Sequence, residues 1–450
     1  MPRVVLPSHL ATRLTSPGPV EVAGTTAGEV LSQLELAHPD LAGWVLDEQG
    51  ALRRHVHLFR GGRRVDLEAP LGATDELTVV TAISGGAPGE TREVLVGTRK
   101  GLVVLRGVPG GRLGVAGRAF PGEVVEYAVR DPRTGRTFAA VTNPFFGPRV
   151  FFTDGDPTGE WQQAAGPAFP ADTGASVDRV WVVQPGEEDG LLWAGVAPAA
   201  LFASRDGGAS WELVRALWEV PGRERWEGGA GGLCLHSICP WPGRPGHLTV
   251  GISAAGVWRT EDGGESWRWG VEGLVPRYVP EEARADTTAY CIHHLRRAPT
   301  SPRRLWMQFH GGVYRSDDEG ASWRDVGAGL PSDFGFPLVA DPRDADRAWV
   351  IPLAADVDRV TPGGRVRVYE TADAGATWQA RERGLPQRDA FLTVLRQAFD
   401  HDGREPLGLY FGTTTGEVFA SADGGGTWTL AAEHLPPVTA VRCAGPAPAV

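Results

Sequence analysis

The 450-residue chain has few cysteines and almost no lysine. Its four cysteines, Cys234, Cys239, Cys291 and Cys443, are too few and too scattered for a disulfide framework. Of its 44 basic residues only Lys100 is a lysine, so a single side-chain amine is available as an acyl acceptor. No run of Lys or Arg resembles a phosphate-binding stripe and the formal net charge is −11, which disfavours nucleic acid and acidic membrane surfaces as partners. No apolar run approaches the ~18 residues of a spanning helix. The first thirty residues contain no apolar h-region, and the chain reads as cytoplasmic. What is abundant is 61 Gly and 36 Pro, too many for a helix-rich chain, which points to turns and short strands. The length, about three times that of a typical single-core domain, calls for two units or a repeat architecture.

Residues 1–86 lack the Asp-Gly-Gly turns found later and carry one amphipathic helix. It starts at Thr26-Ala-Gly-Glu29, a capping-box spacing in which the Thr hydroxyl and the Glu carboxylate each accept from an orphan N–H. Val30, Leu31, Leu34 and Ala37 form its expected buried stripe. Strands are expected at Val4 to Leu6, Val20 to Val22, Val56 to Phe59, Arg64 to Asp66 and Leu77 to Ala82. This order, with one helix crossing one sheet, predicts an α+β, ubiquitin-like β-grasp domain over residues 1–86, followed by a linker at 87–92.

Two segments carry a resemblance: His55-Val-His-Leu-Phe-Arg-Gly-Gly-Arg-Arg-Val and Asp75-Glu-Leu-Thr-Val-Val-Thr-Ala-Ile-Ser-Gly-Gly86. The region resembles the sulfur-carrier family of the MoaD and ThiS proteins. The resemblance implies an E1-like adenylating enzyme as partner and a thiocarboxylate formed on the terminal glycine, with Gly85 and Gly86 as the carrier tail. Two glycines suit such a tail, because a chain without side chains threads a narrow site and adopts φ values closed to other residues. This chain departs from the family, since Gly86 continues into Ala87-Pro-Gly-Glu90. An active carrier would therefore need a processing protease to free the Gly86 carboxylate. The alternative is that Gly85-Gly86 is a flexible linker.

From Glu93 onward a period of about 50 to 56 residues dominates, the range of propeller blades. Its marker, Ser/Thr-x-Asp-x-Gly-x-x-Trp, occurs at Ser204 to Trp211, Thr260 to Trp267, Ser316 to Trp323, Thr371 to Trp378 and Ser421 to Trp428. A degenerate copy ends at Trp161, and Val94 to Leu105 repeats the preceding strands without the turn, which makes seven units. In each turn the Asp and Ser/Thr side chains bond local backbone, the Gly takes φ > 0, and the Trp plugs the space between sheets. The turns resemble the Asp-boxes of sialidase-like BNR propellers, over residues 93–443. That family implies boxes on the face away from the catalytic centre, so Asp206, Asp262, Asp318, Asp373 and Asp423 are assigned to folding.

Residues 93–450 are thus expected to form an all-β seven-bladed propeller. Its inner strands are expected at Val124 to Val129, Val177 to Val183, Leu233 to Ile238, Cys291 to Leu295, Phe336 to Val339, Leu392 to Leu395 and Val438 to Val441. The last follows the final box and should pair beside Val94 to Leu105, closing the ring and hiding its edges.

The rim opposite the boxes is where chemistry is expected. Cys234-Leu-His236 and Cys291-Ile-His293 occupy equivalent positions in adjacent units, and His310 ends the next second strand. His236, His293 and His310 could converge there with Asp178 or Asp333 nearby, while His294 should face the other way. Such a group suits a divalent metal such as zinc, or acid/base catalysis, or satisfied structural polarity. The reading requires no cofactor. The Arg-Ile-Pro motif of true sialidases is missing. Arg179, Arg296, Arg396 and Arg442 lie on or after inner strands and are equally explained by surface pairing. The loops Val214 to Gly232 and Gly270 to Ala289 bring Trp218, Trp226, Tyr278, Glu281, Glu282 and Asp286, which could roof a pocket for a glycan or a protein ligand.

Three functional readings result. The leading one is a carrier-like β-grasp module fused to a propeller that works as a docking or processing platform. The others are a glycoside hydrolase with a rim site and an accessory β-grasp domain, and a non-catalytic interaction scaffold.

Overall fold

A computed structural model of the chain describes residues 1–6, 10, 14, 18–47, 49–53, 56–61, 63–81, 91–108, 110–229 and 231–444. The chain divides into two compact units, Met1–Gly89 and Glu90–Val450.

In the first unit, strands β1 (Arg3–Val5), β2 (Val20–Glu21), β3 (Val56–Arg60), β4 (Arg63–Val65) and β5 (Glu76–Thr81) form one sheet in the order β2-β1-β5-β3-β4. The central pair β1 and β5 is parallel, with Arg3 opposite Glu76, and the other pairs are antiparallel. Helix α1 (Ala27–Ala37) buries Ala27, Val30, Leu31 and Leu34, an i, i+3, i+4, i+7 stripe. These pack with Val4, Leu58, Leu77 and Val79 of the sheet. The Thr26 hydroxyl accepts the Glu29 N–H at 3.3 Å. The return bond differs from the expected capping box: Glu29 accepts from the backbone N–H and hydroxyl of Thr25, one residue earlier. Ala37 is exposed, because the helix stops there and the Pro39–Leu41 turn buries Leu41 instead. Gly85 and Gly86 lie outside the described residues.

Among the described residues the second unit holds seven four-stranded sheets, each an antiparallel meander, in a propeller-like succession. First strands of consecutive sheets lie side by side, and Val438–Ala444 neighbours both Phe399–His401 and Val124–Arg130. Val438–Ala444 also pairs with Arg92–Thr98, placing Val438 opposite Thr98 and Ala444 opposite Glu93. One sheet is therefore built from both ends of the unit.

One expected inner strand is displaced. The sixth sheet begins at Phe399–His401 and not at Leu392 to Leu395. The polar groups of 392–395 are taken by the loop at 359–361: Thr361 N–H donates to the Leu392 carbonyl at 3.0 Å, and the Thr393 hydroxyl donates to the Arg359 carbonyl at 2.5 Å. The Thr393 carbonyl accepts the Thr414 N–H at 2.9 Å, just beyond the second strand of that sheet, so the segment is tied down by single hydrogen bonds and not by a ladder.

The five Asp turns share one geometry. Asp206 Oδ1 accepts the Ser204 hydroxyl at 2.8 Å and the Ser210 N–H at 2.9 Å, while Oδ2 accepts the Ser210 hydroxyl at 2.6 Å. Asp262, Asp318, Asp373 and Asp423 repeat the pattern. Two of the turn tryptophans reach the preceding sheet, Trp323 Nε1 donating to the Gly270 carbonyl at 3.0 Å and Trp378 Nε1 to the Val326 carbonyl at 2.7 Å.

Candidate functional site

Two adjoining cavities open in the second unit, of about 660 and 350 Å³, and share Gly231, Phe336, Arg359 and Arg396. The larger is also lined by Arg99, Glu126, Arg179, Trp181 and Gln397. Its lining is strongly cationic: four arginines face one carboxylate, and Glu126 is already engaged by Arg179 Nε at 3.1 Å. Burial raises the pKa of Glu126 against the pull of Arg179.

Of the arginines expected on the inner strands, Arg179 is a half-exposed ion-pair partner of Glu126, whereas two others are not surface pairs. Arg396 and Arg442 are buried, at 8% and 5% exposure. Arg396 donates to the Cys234 sulfur at 3.6 Å and stands 5.0 Å from the Trp181 ring and 5.6 Å from the Phe336 ring. Arg442 donates to the Tyr127 hydroxyl at 2.8 Å and to the Gln397 carbonyl at 3.0 Å. Because first strands of consecutive sheets lie side by side, polar residues on them are enclosed by their neighbours. Strand spacing alone does not reveal which of them this affects.

The smaller cavity holds the reactive residue types. Cys291, His293 and His310 present Sγ and ring nitrogens that all lie within 4.8 Å of one another. The sequence signal is cross-strand: the His310 N–H donates to the Cys291 carbonyl at 3.1 Å, so these two start and end neighbouring strands side by side. His293 sits two residues on from Cys291, at a register shift of the strand, and both line the smaller cavity. Its Nδ1 lies 2.6 Å from the Gly335 carbonyl. A carbonyl only accepts, so Nδ1 carries the proton and Nε2 keeps its lone pair. His310 lies 5.1 Å from His293, ring to ring, with its Nε2 at 3.7 Å from Asp356 Oδ2. Burial lowers the pKa of both imidazoles, and for His310 Asp356 and Asp333 oppose the shift. Burial raises the Cys291 thiol, and Arg396 opposes that.

His236 does not join this group. Its Nε2–H donates to the Ile292 carbonyl at 2.9 Å and links two sheets, and its Nδ1 accepts the hydroxyl of the adjacent Ser237 at 2.9 Å, so both ring nitrogens are used. Cys291 stands where His236 was expected. His294 is apart from the group, its Nδ1 accepting the Leu338 N–H at 3.1 Å. Asp178 is exposed at the start of its strand and lines neither cavity. Asp333 is exposed beside Gly311 and acts on His310 through its charge. Of the loop residues expected as a roof, Tyr278 lines the smaller cavity, whereas Trp226 is buried and shares the Arg223 guanidinium with Trp218. Asp286 is committed to Arg225 at 2.6 Å and to capping its own turn. Sequence reading overlooked Asp356 and Arg359, which lie in a loop without a repeat equivalent.

Against known proteins, the first unit gives the decisive match. The N-terminal region is 37% identical over 68 residues to small archaeal modifier protein 1 of Haloferax volcanii, covering 15% of this chain and 78% of that protein. Through its first unit the chain belongs to the small archaeal modifier protein family. The crystal structure of that modifier from Haloferax volcanii is 33% identical, with a TM-score of 0.17, covering 19% of this chain and 98% of the modifier. No family model matches the chain. An ancestral GH74 enzyme is 14% identical with a TM-score of 0.46, covering 78% of this chain and 40% of that enzyme. The modifier-like unit ends its described sheet at Thr81, four residues before Gly85. No helix of the described residues is long and apolar enough to cross a membrane.

Proposed function

We propose that the chain is a cytoplasmic sulfur-carrier or protein-modifier module fused to a seven-bladed Asp-box propeller that docks a partner. The observation that carries this reading is the 37% identity of the first unit to a small archaeal modifier, together with a Gly85-Gly86 pair four residues on in sequence from Thr81, where the last described strand of that unit ends. In the reading, residues 87–92 tether the units, a protease frees the Gly86 carboxylate, and an E1-like enzyme adenylates it. The five Asp turns serve folding, since both oxygens of each Asp are spent on their own turn.

Two features support docking by the propeller. Phe145 and Phe146 are 86% and 72% exposed in the turn that follows Pro144, a residue of the larger cavity's lining. The same cavity is lined by four arginines, which fits an anionic tail of a protein partner. A glycosidase needs two carboxylates facing each other across the bond. The two linings contain Glu126, engaged by Arg179, and Glu227.

The test is the intact mass of the protein recovered from its own cell. The reading expects a fragment ending at Gly86 that carries sulfur in place of one carboxylate oxygen. Recovery of the uncut chain alone, under conditions of active sulfur transfer, would overturn it.

A further inference from the structure

We propose that Cys291, His293 and His310 form a mononuclear zinc site whose fourth position opens into the smaller cavity. The inference is independent of the carrier reading, since it rests on the second unit alone.

The donor set is one thiolate and two imidazoles, the N/S combination that selects zinc and related thiophilic ions over calcium or magnesium. Three protein ligands with space beyond them is the arrangement of a site that keeps one position free. That space exists, because the same three residues line the 350 Å³ cavity. His293 is already set for ligation. Its Nδ1–H is held by the Gly335 carbonyl at 2.6 Å, which fixes the tautomer, orients the ring and leaves Nε2 as the donor. Phe334 and Phe336 pack on the same ring at 5.1 and 4.8 Å between centroids.

The other two ligands share a brace. The Tyr278 hydroxyl accepts the Cys291 N–H at 2.9 Å, and the Tyr278 ring lies 4.2 Å from His310, centroid to centroid. The ligand atoms lie within 4.8 Å of one another, whereas zinc–sulfur and zinc–nitrogen bonds of about 2.3 and 2.0 Å at a tetrahedral angle leave them roughly 3.6 Å apart. The widest pair must therefore close by about 1 Å. Cys291 and His310 are each only partly buried, which leaves them room to do so. On binding, Cys291 gives up its thiol proton to solvent and the sulfur lone pair forms the metal bond.

The charges around the site include both signs. Asp356 stands beside His310 and favours a cation. Arg359 and Arg396 line the same cavity and oppose one. With a thiolate bound, the two guanidiniums face the open position, so an anionic fourth ligand is the one they favour. His236 and Cys234 are excluded as ligands by commitments of their own: His236 by its two hydrogen bonds, Cys234 by burial against Arg396.

The experiment titrates cobalt(II) into the full chain after chelator treatment, with zinc as competitor. One equivalent should bind, giving the near-ultraviolet band of a cobalt–thiolate bond together with visible bands of low-symmetry cobalt, and zinc should displace it. Cys291→Ser should abolish the near-ultraviolet band. His310→Ala should weaken binding by roughly tenfold or more. Cys443→Ser should change neither, and circular dichroism of each variant should match the parent. His310→Ala changes a half-buried side chain at the cavity wall, so it keeps the test valid should Cys291→Ser not fold. Absence of cobalt and zinc binding by the parent chain would overturn the proposal. So would a thiolate band that survives Cys291→Ser, or His310→Ala binding as tightly as the parent.

Discussion

Tyr278 holds Cys291 in place through the backbone and not through the sulfur. Its hydroxyl accepts the Cys291 N–H at 2.9 Å while donating to the Ala289 carbonyl at 2.6 Å, so it ties the end of a rim loop to the start of a strand. Burial raises the pKa of this hydroxyl, which keeps it protonated and able to do both.

Tyr278→Phe removes that oxygen alone and leaves the ring beside His310. It should cost about 1 kcal/mol, the net worth of a partly buried hydrogen-bond pair, read as a small loss in denaturant midpoint. Amide exchange at Cys291 should quicken by more than the global change accounts for. An unchanged Cys291 exchange rate would show that the hydroxyl does not hold the strand.

Backbone approach between sheets gives a larger expected effect. Gly273 has φ +82°, and a Cβ built on it would lie 2.1 Å from the Trp323 carbonyl oxygen. Both partners are backbone, held by the Trp323 N–H to Glu272 carbonyl bond at 2.8 Å, so neither yields cheaply. Gly122 has a similar φ of +89° with nothing within 4 Å. Gly122→Ala should therefore cost only the left-handed penalty of about 1–2 kcal/mol, and Gly273→Ala at least about 2 kcal/mol more. Equal melting temperatures for the two variants would refute the close approach.

The strand from the far end of the chain should be indispensable. Val438, Ala440 and Val441 are at most 1% exposed, and Val438–Ala444 pairs with Arg92–Thr98 along its length. Truncation after Pro437 removes two buried valines, about 1.5–3 kcal/mol each, and leaves an unpaired edge prone to association. The shortened chain should melt well below the parent or aggregate. Equal thermal stability of the two would reject this closure.

How much of this was legible in the sequence differs by kind of signal. Local chemistry was readable: Thr26 caps α1, and the turns from Ser204 to Trp211 and from Ser316 to Trp323 share one motif, because each is specified by residues within eight positions. The pairing of Val438–Ala444 with the opening strands was readable too, since one unit otherwise lacked its first strand. The site was readable only in part. The repeat made His236 and His293 look alike, but the sheet-to-sheet bond from His236 to the Ile292 carbonyl depends on which residues meet across a junction. Cys291 emerged as a partner of His310 only through a cross-strand contact. Phe399–His401 replaced Leu392 to Leu395 for a similar reason: the competing bonds come from a loop some thirty residues away.

The Asp turns fix the sign of an acid transition. Asp206 is held down from its ordinary 3.8 to about 2, first by the Ser210 hydroxyl and N–H and then by the Ser204 hydroxyl. A carboxyl whose folded pKa is depressed contributes stability that is complete above the unfolded value and lost as pH falls through the folded one. Stability should therefore decline between about pH 4 and pH 2, and the decline should be shallower in Asp206→Asn, which has no proton to take up. Asp206 is exposed, so the effect per turn is small and screened by salt. Parallel pH profiles for variant and parent, measured by urea unfolding, would remove this turn from the acid transition.

The carrier reading makes a claim about one bond. Adenylation needs a carboxylate, and in the encoded chain Gly86 ends in an amide to Ala87. The first unit has its own buried core around Leu31, Leu34, Leu58 and Leu77, which is what independent folding requires. A chain ending at Gly86 should accordingly be adenylated by the E1-like enzyme of its own cell and then gain sulfur for oxygen, while the uncut chain stays inert. Gly86→Ala in the short chain should slow the reaction, because a methyl group is added where the tail must pass closely. If the module is also attached to proteins, self-attachment through a side chain has Lys100 as its single acceptor, so Lys100→Arg should remove any isopeptide-linked multimer. An inert short chain and an unmodified full chain, tested with that enzyme, would reduce Gly85-Gly86 to a tether and leave the first unit as a docking domain.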